Sequence, residues 1–287
     1  MILHKRKTPR FHVLYNESDQ TKFATFTRKK VPLANTIHHS SFIYNQFKKF
    51  NLCKSYSNRV INHLMSILIS IFISGYHGKT TDFAKNSSCH RTTIAHFLNS
   101  GKWDDSLLSD TLKRSVIEII YSEAARTGKP VFCIVDDTIA SKTKPSSRAL
   151  HPIEDAYFYQ SHLKGKQDYG HQAVAVMLSC NGIVLNYAFV MYNKSISKID
   201  LVQKFFRQCK DKMALDSYQI RSAQGIRRYW LIMSLAHYMC IIGNGESSSF
   251  ENGYRQICDV IQQEKYRYIF QCAKASNDFD AFMKVAV

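Results

Sequence analysis

Acidic residues are scarce in this chain of 287 residues: 22 Asp and Glu stand against 39 Lys and Arg, a formal charge of +17. That imbalance argues against an acidic or neutral metabolic enzyme, and points to a polyanionic partner. Proline (5) and glycine (11) are also few, which excludes collagen-like and linker-rich architectures. Eight cysteines occur, but with no CxxC and no Cys/His cluster at zinc-ligand spacing. This excludes the common zinc modules and suits reduced thiols packed as small hydrophobes in a cytoplasmic protein. P-loop, dinucleotide-type glycine and GxSxG patterns are missing. The most apolar run, Leu64 to Ile73, is too short to span a bilayer. The first ten residues lack the apolar core of a signal peptide.

What is present reads as a globular protein, 45% hydrophobic and 21% charged, long enough for one large or two modest cores. The charge is uneven. Residues 1–60 hold 12 basic and 2 acidic side chains, hence +10; residues 61–130 hold 8 and 6, hence +2; the remainder holds 19 and 14, hence +5. Residues 1–40 therefore read as a basic, partly disordered arm. Helical spacing runs from Ser41 to Ile73. A short helix near Thr81–Lys85, a polar turn and a second helix near Arg91–Leu98 form a helix-turn-helix pattern, against the plainer alternative of two core helices. In that motif the N-terminal residues of the second helix face the bases; here they are His90, Arg91, Thr92 and Thr93. A further helix covers Leu107–Arg126.

The pattern then changes. Val131–Val135 is a short β-rich run ending in Asp136-Asp137-Thr138, and Gln172–Cys180 and Ile183–Tyr192 flank Asn181-Gly182, a strong hairpin signal. Helical periodicity returns over Leu201–Met213, Ser222–Ile242 and Phe250–Cys272. Two carboxylates at the end of a buried strand suit a hard cation such as Mg²⁺, although on spacing alone a strand-end Asp that merely caps a loop is the commoner reading. His151, His162, His171 and Asp168 match no zinc spacing, while Lys164, Lys166 and Gln172 are candidates to meet phosphates.

VFCIVDDT, the segment SKTKPSSRALHPIEDAYFYQSHLKGKQDYGHQ and the tail KFFRQCKDKMALDSYQIRSAQGIRRYWLIMSLAHYM together resemble bacterial insertion-sequence transposases of the DDE group, named for an Asp-Asp-Glu triad on a ribonuclease H-like fold. The resemblance covers roughly residues 40–287. It implies an α+β protein: a helical DNA-binding region with a helix-turn-helix (41–127), followed by a catalytic domain (128–287). It also implies Mg²⁺, double-stranded DNA with terminal inverted repeats as substrate, and a nucleoid-associated location in a bacterial cytoplasm. The first catalytic Asp falls on Asp137, with Asp136 as the fallback, both as metal ligands. The helix bearing the Glu falls on Leu201–Met213, where the Glu position is Gln203 and the Lys seven residues on is Lys210. Lys164 and Arg221 are further expected DNA contacts. Only about ten residues separate the third expected strand from Gln203, with no strand to carry a second Asp. The catalytic domain therefore resembles a truncated one, a three-stranded remnant packed with C-terminal helices. Cleavage and strand transfer are expected to be defective. The alternative is a non-catalytic DNA-binding protein that regulates or titrates an intact transposase, as a homo-oligomer or a mixed oligomer.

Overall fold

A computed structural model describes residues 39–73, 79–85, 87, 89–149, 152–161, 164–191, 220–243 and 249–275. The arm at residues 1–38 and the segment 192–219, which contains Gln203 and Lys210, lie outside the described residues.

The helical stretch expected over Ser41–Ile73 is three helices: α1 (Ser41–Lys49), α2 (Leu52–Ser55) and α3 (Asn58–Ile73). Asn51 breaks the first two apart by adopting left-handed backbone (φ 57°), a conformation Asn tolerates better than most residues. Ser40 caps α1, its Oγ accepting from the Ile43 amide. In α3 nearly every residue from Ile61 to Phe72 is buried. Its two buried serines are satisfied locally, Ser66 and Ser70 donating to carbonyls four residues back. Then follow α4 (Thr80–Lys85), α5 (Arg91–Asn99) and α6 (Asp105–Thr127). Asp104 caps α6 by accepting from the Leu107 amide at 3.0 Å, and Gly128 ends it in left-handed backbone (φ 68°).

Among the described residues the sheet has four strands rather than the three expected: β1 (Phe132–Ser141), β2 (Tyr157–Ser161), β3 (Lys166–Cys180) and β4 (Ile183–Met191). All pairs are antiparallel, and β3 is the hub. β1 runs along one edge of β3. β4, and beyond it β2, follow one another along the opposite edge. β1 is paired with no described strand except β3. Asn181 (φ 50°) and Gly182 (φ 84°) form the tight β3–β4 turn that their dipeptide signals. That turn is tied to the end of α6, where Glu123 accepts from Asn181 Nδ2. The bonds from Arg126 and Asn181 pull the Glu123 carboxyl down to about 2.

After residue 219 come α7 (Ala223–Ile242) and α8 (Phe250–Ala275). Ser222 Oγ accepts from the Gly225 amide and the Glu154 carboxylate from the Ala223 amide at 2.8 Å, so the loop before β2 helps to cap α7. α7 is buried almost all round, with Tyr229, Trp230, Ile232, Met233, Leu235 and Ala236 fully enclosed. It packs on the sheet, on α5 and on α8. One hydrophobic cluster extends from Ile43 in α1 to Ile261 in α8, taking in residues from both helices and sheet. Burying this apolar surface is the main favourable term for the fold.

Candidate functional site

Asp136 and Asp137 do not end their strand. β1 continues through them to Ser141, because Ile139 and Ala140 carry on the apolar alternation beyond the polar doublet. Successive side chains in a strand point to opposite faces, so the two carboxylates are separated by the sheet itself. Asp136 is opposite Ala175 and is buried (7% exposed), on the face that carries Ile134, Ala140, Ala173 and Met177. Asp137 is opposite Val174 and half-buried on the other face. The two cannot hold one ion together, which corrects the expectation of a strand-end pair.

On the Asp137 face, Val174 separates Asp137 from Val190 of β4, which is 45% exposed and leaves the row open to solvent. One step along β3, Gln172 lies opposite Ile139 on the same face. Its Nε2 donates to Asp137 Oδ2. Gln172 is only 2% exposed, so it is not among the groups that meet phosphates; its Oε1 is buried with no hydrogen-bond partner.

Further along this face Ser141 Oγ donates to Asp168 Oδ2 (2.5 Å), and Lys164 Nζ donates to both, at 2.8 Å and 2.6 Å. Burial opposes ionisation of Asp168, but the bonds from Lys164 and Ser141 outweigh it and hold the carboxyl below its usual range. Lys164 is thus held by a carboxylate rather than standing open. His171 is buried on the other face with its Nε2 2.8 Å from the Glu154 carbonyl, and burial pushes its pKa down. Among the described residues no three His, Cys, Asp or Glu side chains are placed to hold a metal ion, and all seven described cysteines are free.

The two helices expected around the polar turn are present as α4 and α5. His90, Arg91, Thr92 and Thr93 are all exposed at the head of α5. His90 is its N-cap, Nδ1 accepting from the Thr92 amide. The inner side of the motif is core: Phe83, Ile94, Phe97 and Leu98 are buried, and Phe83 meets Tyr229 of α7. Arg221 is exposed just ahead of α7.

Sequence reasoning missed the residue that fixes α5. Arg228, in α7 and 3% exposed, donates to the carbonyls of Phe97, Leu98, Gly101 and Trp103, and pairs with Asp105 at 3.3 Å. A buried guanidinium suits this work because its planar fork offers five donors. Gly225, one turn earlier, lets α5 come close: a Cβ there would lie 2.2 Å from Asn99 Oδ1. Nothing local in the sequence marks Arg228, since its partners are 123 or more residues away.

An antiparallel sheet backed by helices, with an acidic residue inside its first strand and a helix pair ahead of it, defines a mixed α+β protein with a helical region joined to its sheet by one core. Residues 80–238, more than half of the chain, match the DDE superfamily endonuclease family. The chain belongs to that family and is a DDE-type, transposase-like protein. No curated protein and no solved structure matches it significantly. No helix among the described residues is long and apolar enough to cross a membrane.

Proposed function

We propose that this protein binds the ends of a mobile DNA element and does not cut them. Members of its family act on DNA as endonucleases that use divalent metal. Such chemistry rests on carboxylates that place one or two cations at the attacked phosphate. The observation that carries the reading is that Asp136 and Asp137 project to opposite faces of β1. Asp137 is then the one carboxylate of the doublet on the accessible face. By the resemblance, the position of the family's Glu falls on Gln203, a neutral amide, and no expected strand remains to carry a second Asp. A Mg²⁺ ion held through Asp137 alone lacks the charge and the partner ion that in-line displacement needs.

DNA binding is supported independently. The N-terminal turn of α5 exposes His90, Arg91, Thr92 and Thr93 on a helix whose opposite face is locked into the core. The positive end of the helix dipole at such a turn favours phosphate. The excess of +17 supplies sequence-independent attraction, most of it from residues 1–60. Residues 41–127 carry this role in our reading, with Arg221 and the ion-paired Lys164 as flanking cations. A protein that occupies terminal repeats without cleaving them competes with an intact transposase, alone or in mixed oligomers.

Incubating the full chain with supercoiled DNA and Mg²⁺ or Mn²⁺, beside Asp137→Ala and a gel-shift assay, tests this. Shifted DNA without nicking is the expected result. Nicking that disappears in Asp137→Ala would overturn the reading.

A further inference from the structure

β2 pairs with no described strand except β3, and it leaves two neighbouring rings in solvent: Tyr157 is 49% exposed and Phe158 44%. Strand alternation sends the two to opposite faces of the sheet. Phe158 is opposite Tyr169 of β3, their rings 5.2 Å apart and tilted by 58°. The Lys142 amide donates to the Tyr169 carbonyl at 2.7 Å, which brings the loop after β1 alongside this pair. From that loop Lys144 holds its ammonium over the Phe158 ring, 5.3 Å from the ring centre. A cross-strand aromatic pair stabilises a sheet, but that role does not call for a ring nearly half in water with a cation above it.

The surroundings are basic. Residues 141–169 hold five Lys and Arg and three Asp and Glu. The three acids are all engaged: the Glu154 carboxylate accepts from the Ala223 amide, Asp155 pairs with Arg227 at 2.9 Å, and Asp168 pairs with Lys164 at 2.6 Å. Lys144, Arg148 and Lys166 are exposed and enter no described ion pair. A flat ring among cations that no carboxylate neutralises complements a base joined to phosphates. In a duplex the base faces are covered by one another, so the ring can stack only on a base that is unpaired.

We propose that Phe158, backed by Tyr169 and covered by Lys144, is a stacking platform for an unpaired base of single-stranded DNA. The base takes the place of the ammonium on the ring, because base stacking on an aromatic side chain is stronger than a solvent-exposed cation–π contact. Lys144 then moves to the adjoining phosphate. Arg148 and Lys166 add phosphate contacts that carry no sequence information. The inference rests on reading the protein as one that binds DNA ends. It deepens that reading by assigning a second surface, on the sheet rather than on α5, that favours ends with a single-stranded overhang.

The test uses the full chain and fluorescence anisotropy with three labelled probes: a thymidine-only single strand, an abasic strand of the same length, and a blunt duplex. Wild type should bind the thymidine strand at least about fivefold more tightly than the abasic one, the scale of one stacked base. Phe158→Ala should close that gap, and Phe158→Trp should keep or widen it. Lys144→Gln should weaken binding of both strands and flatten the salt dependence while leaving the gap. Duplex binding should survive Phe158→Ala and fall in Arg91→Ala. Should Phe158→Ala fail to fold by circular dichroism, Phe158→Leu, which keeps apolar volume without a flat ring, takes its place. No gap in wild type, or a gap that survives loss of the ring, overturns the proposal. So does an equal loss in Tyr157→Ala, which would mean general adhesion to the edge strand. Reduced self-association in Phe158→Ala by sedimentation, with strand affinities unchanged, would assign the face to a second copy of the chain and also overturns it. Binding of duplex without preference for bases in the single strand defeats this inference alone, whereas failure to bind any of the probes defeats the DNA-end reading as well.

Discussion

The Arg228 guanidinium lies over the Trp103 indole, 4.8 Å from its ring centre, while its nitrogens bond the carbonyls on either side of that turn. Trp103 in turn stacks on Phe97 at 5.0 Å, with 10° between the rings, and donates from Nε1 to the Phe97 carbonyl. Arg228→Ala strands several buried carbonyls at once. We expect a loss of more than about 3 kcal/mol in urea unfolding. Arg228→Lys should recover only part of it, because an ammonium cannot reproduce the fork. A loss under about 1 kcal/mol would show that water replaces the guanidinium without difficulty.

Arg91 is exposed and contributes nothing to the core. Arg91→Ala should leave the melting temperature within about a degree, weaken DNA binding, and reduce the slope of log affinity against log salt by about 1. Unchanged affinity and slope would remove α5 from the DNA interface.

In our proposed reading Gln203 stands at the family's Glu position and the second Asp is lost, so a carboxylate placed there should not restore cutting. Gln203→Glu is expected to stay at background in plasmid nicking with Mn²⁺, since that reading leaves no second Asp to complete the site. Asp137-dependent nicking in this variant would mean that another residue supplies the missing charge.

His237 is enclosed in α7 and stacks on Phe250, ring centres 5.3 Å apart. Burial depresses its pKa from 6.5 to about 3, and pushes those of His63 and His171 in the same direction. The unfolded chain therefore binds protons that the folded chain refuses. Stability should hold above about pH 6.5 and fall as pH drops from there toward 3, by up to about 1.4 kcal/mol per unit for His237, with His63 and His171 acting in the same direction. Urea unfolding at pH 7, 5.5 and 4.5 checks this. His237→Leu should have a shallower acid limb than wild type, and an equal slope would rule out His237 as its source.

The helices α4 to α8 were legible because apolar periodicity and caps agree there: the polar turn before His90, Gly128 after α6 and Ser222 before α7 each mark a boundary. The β3–β4 turn was legible from Asn181-Gly182. β2 was missed because YFYQS has no clean alternation and its flanks are polar. β1 was cut short because Asp136-Asp137-Thr138 looks like a strand's end; only the ladder to β3, with Ala140 opposite His171 and Ser141 opposite Gly170, shows that it continues. Of the site, Asp137 was visible from its setting in a β-rich run. The bond from Gln172 was not, because it joins residues 35 apart through a register that no local pattern announces.

That register has a competitor built into β1. Val135 and Ile139 on one face match Ile134 and Ala140 on the other, and each face carries one aspartate, so a slide by a single residue against β3 would leave a strand of similar apolar content with Asp136 and Asp137 exchanged. Hydrophobicity hardly distinguishes the two alignments. Gly170 permits the observed one, where any side chain would run into the Ala140 carbonyl, 2.1 Å from a Cβ, and the Gln172 bond to Asp137 favours it. The bare position and the amide of Gln172 two residues on act as a key, admitting β1 in the alignment that turns Asp137 outward.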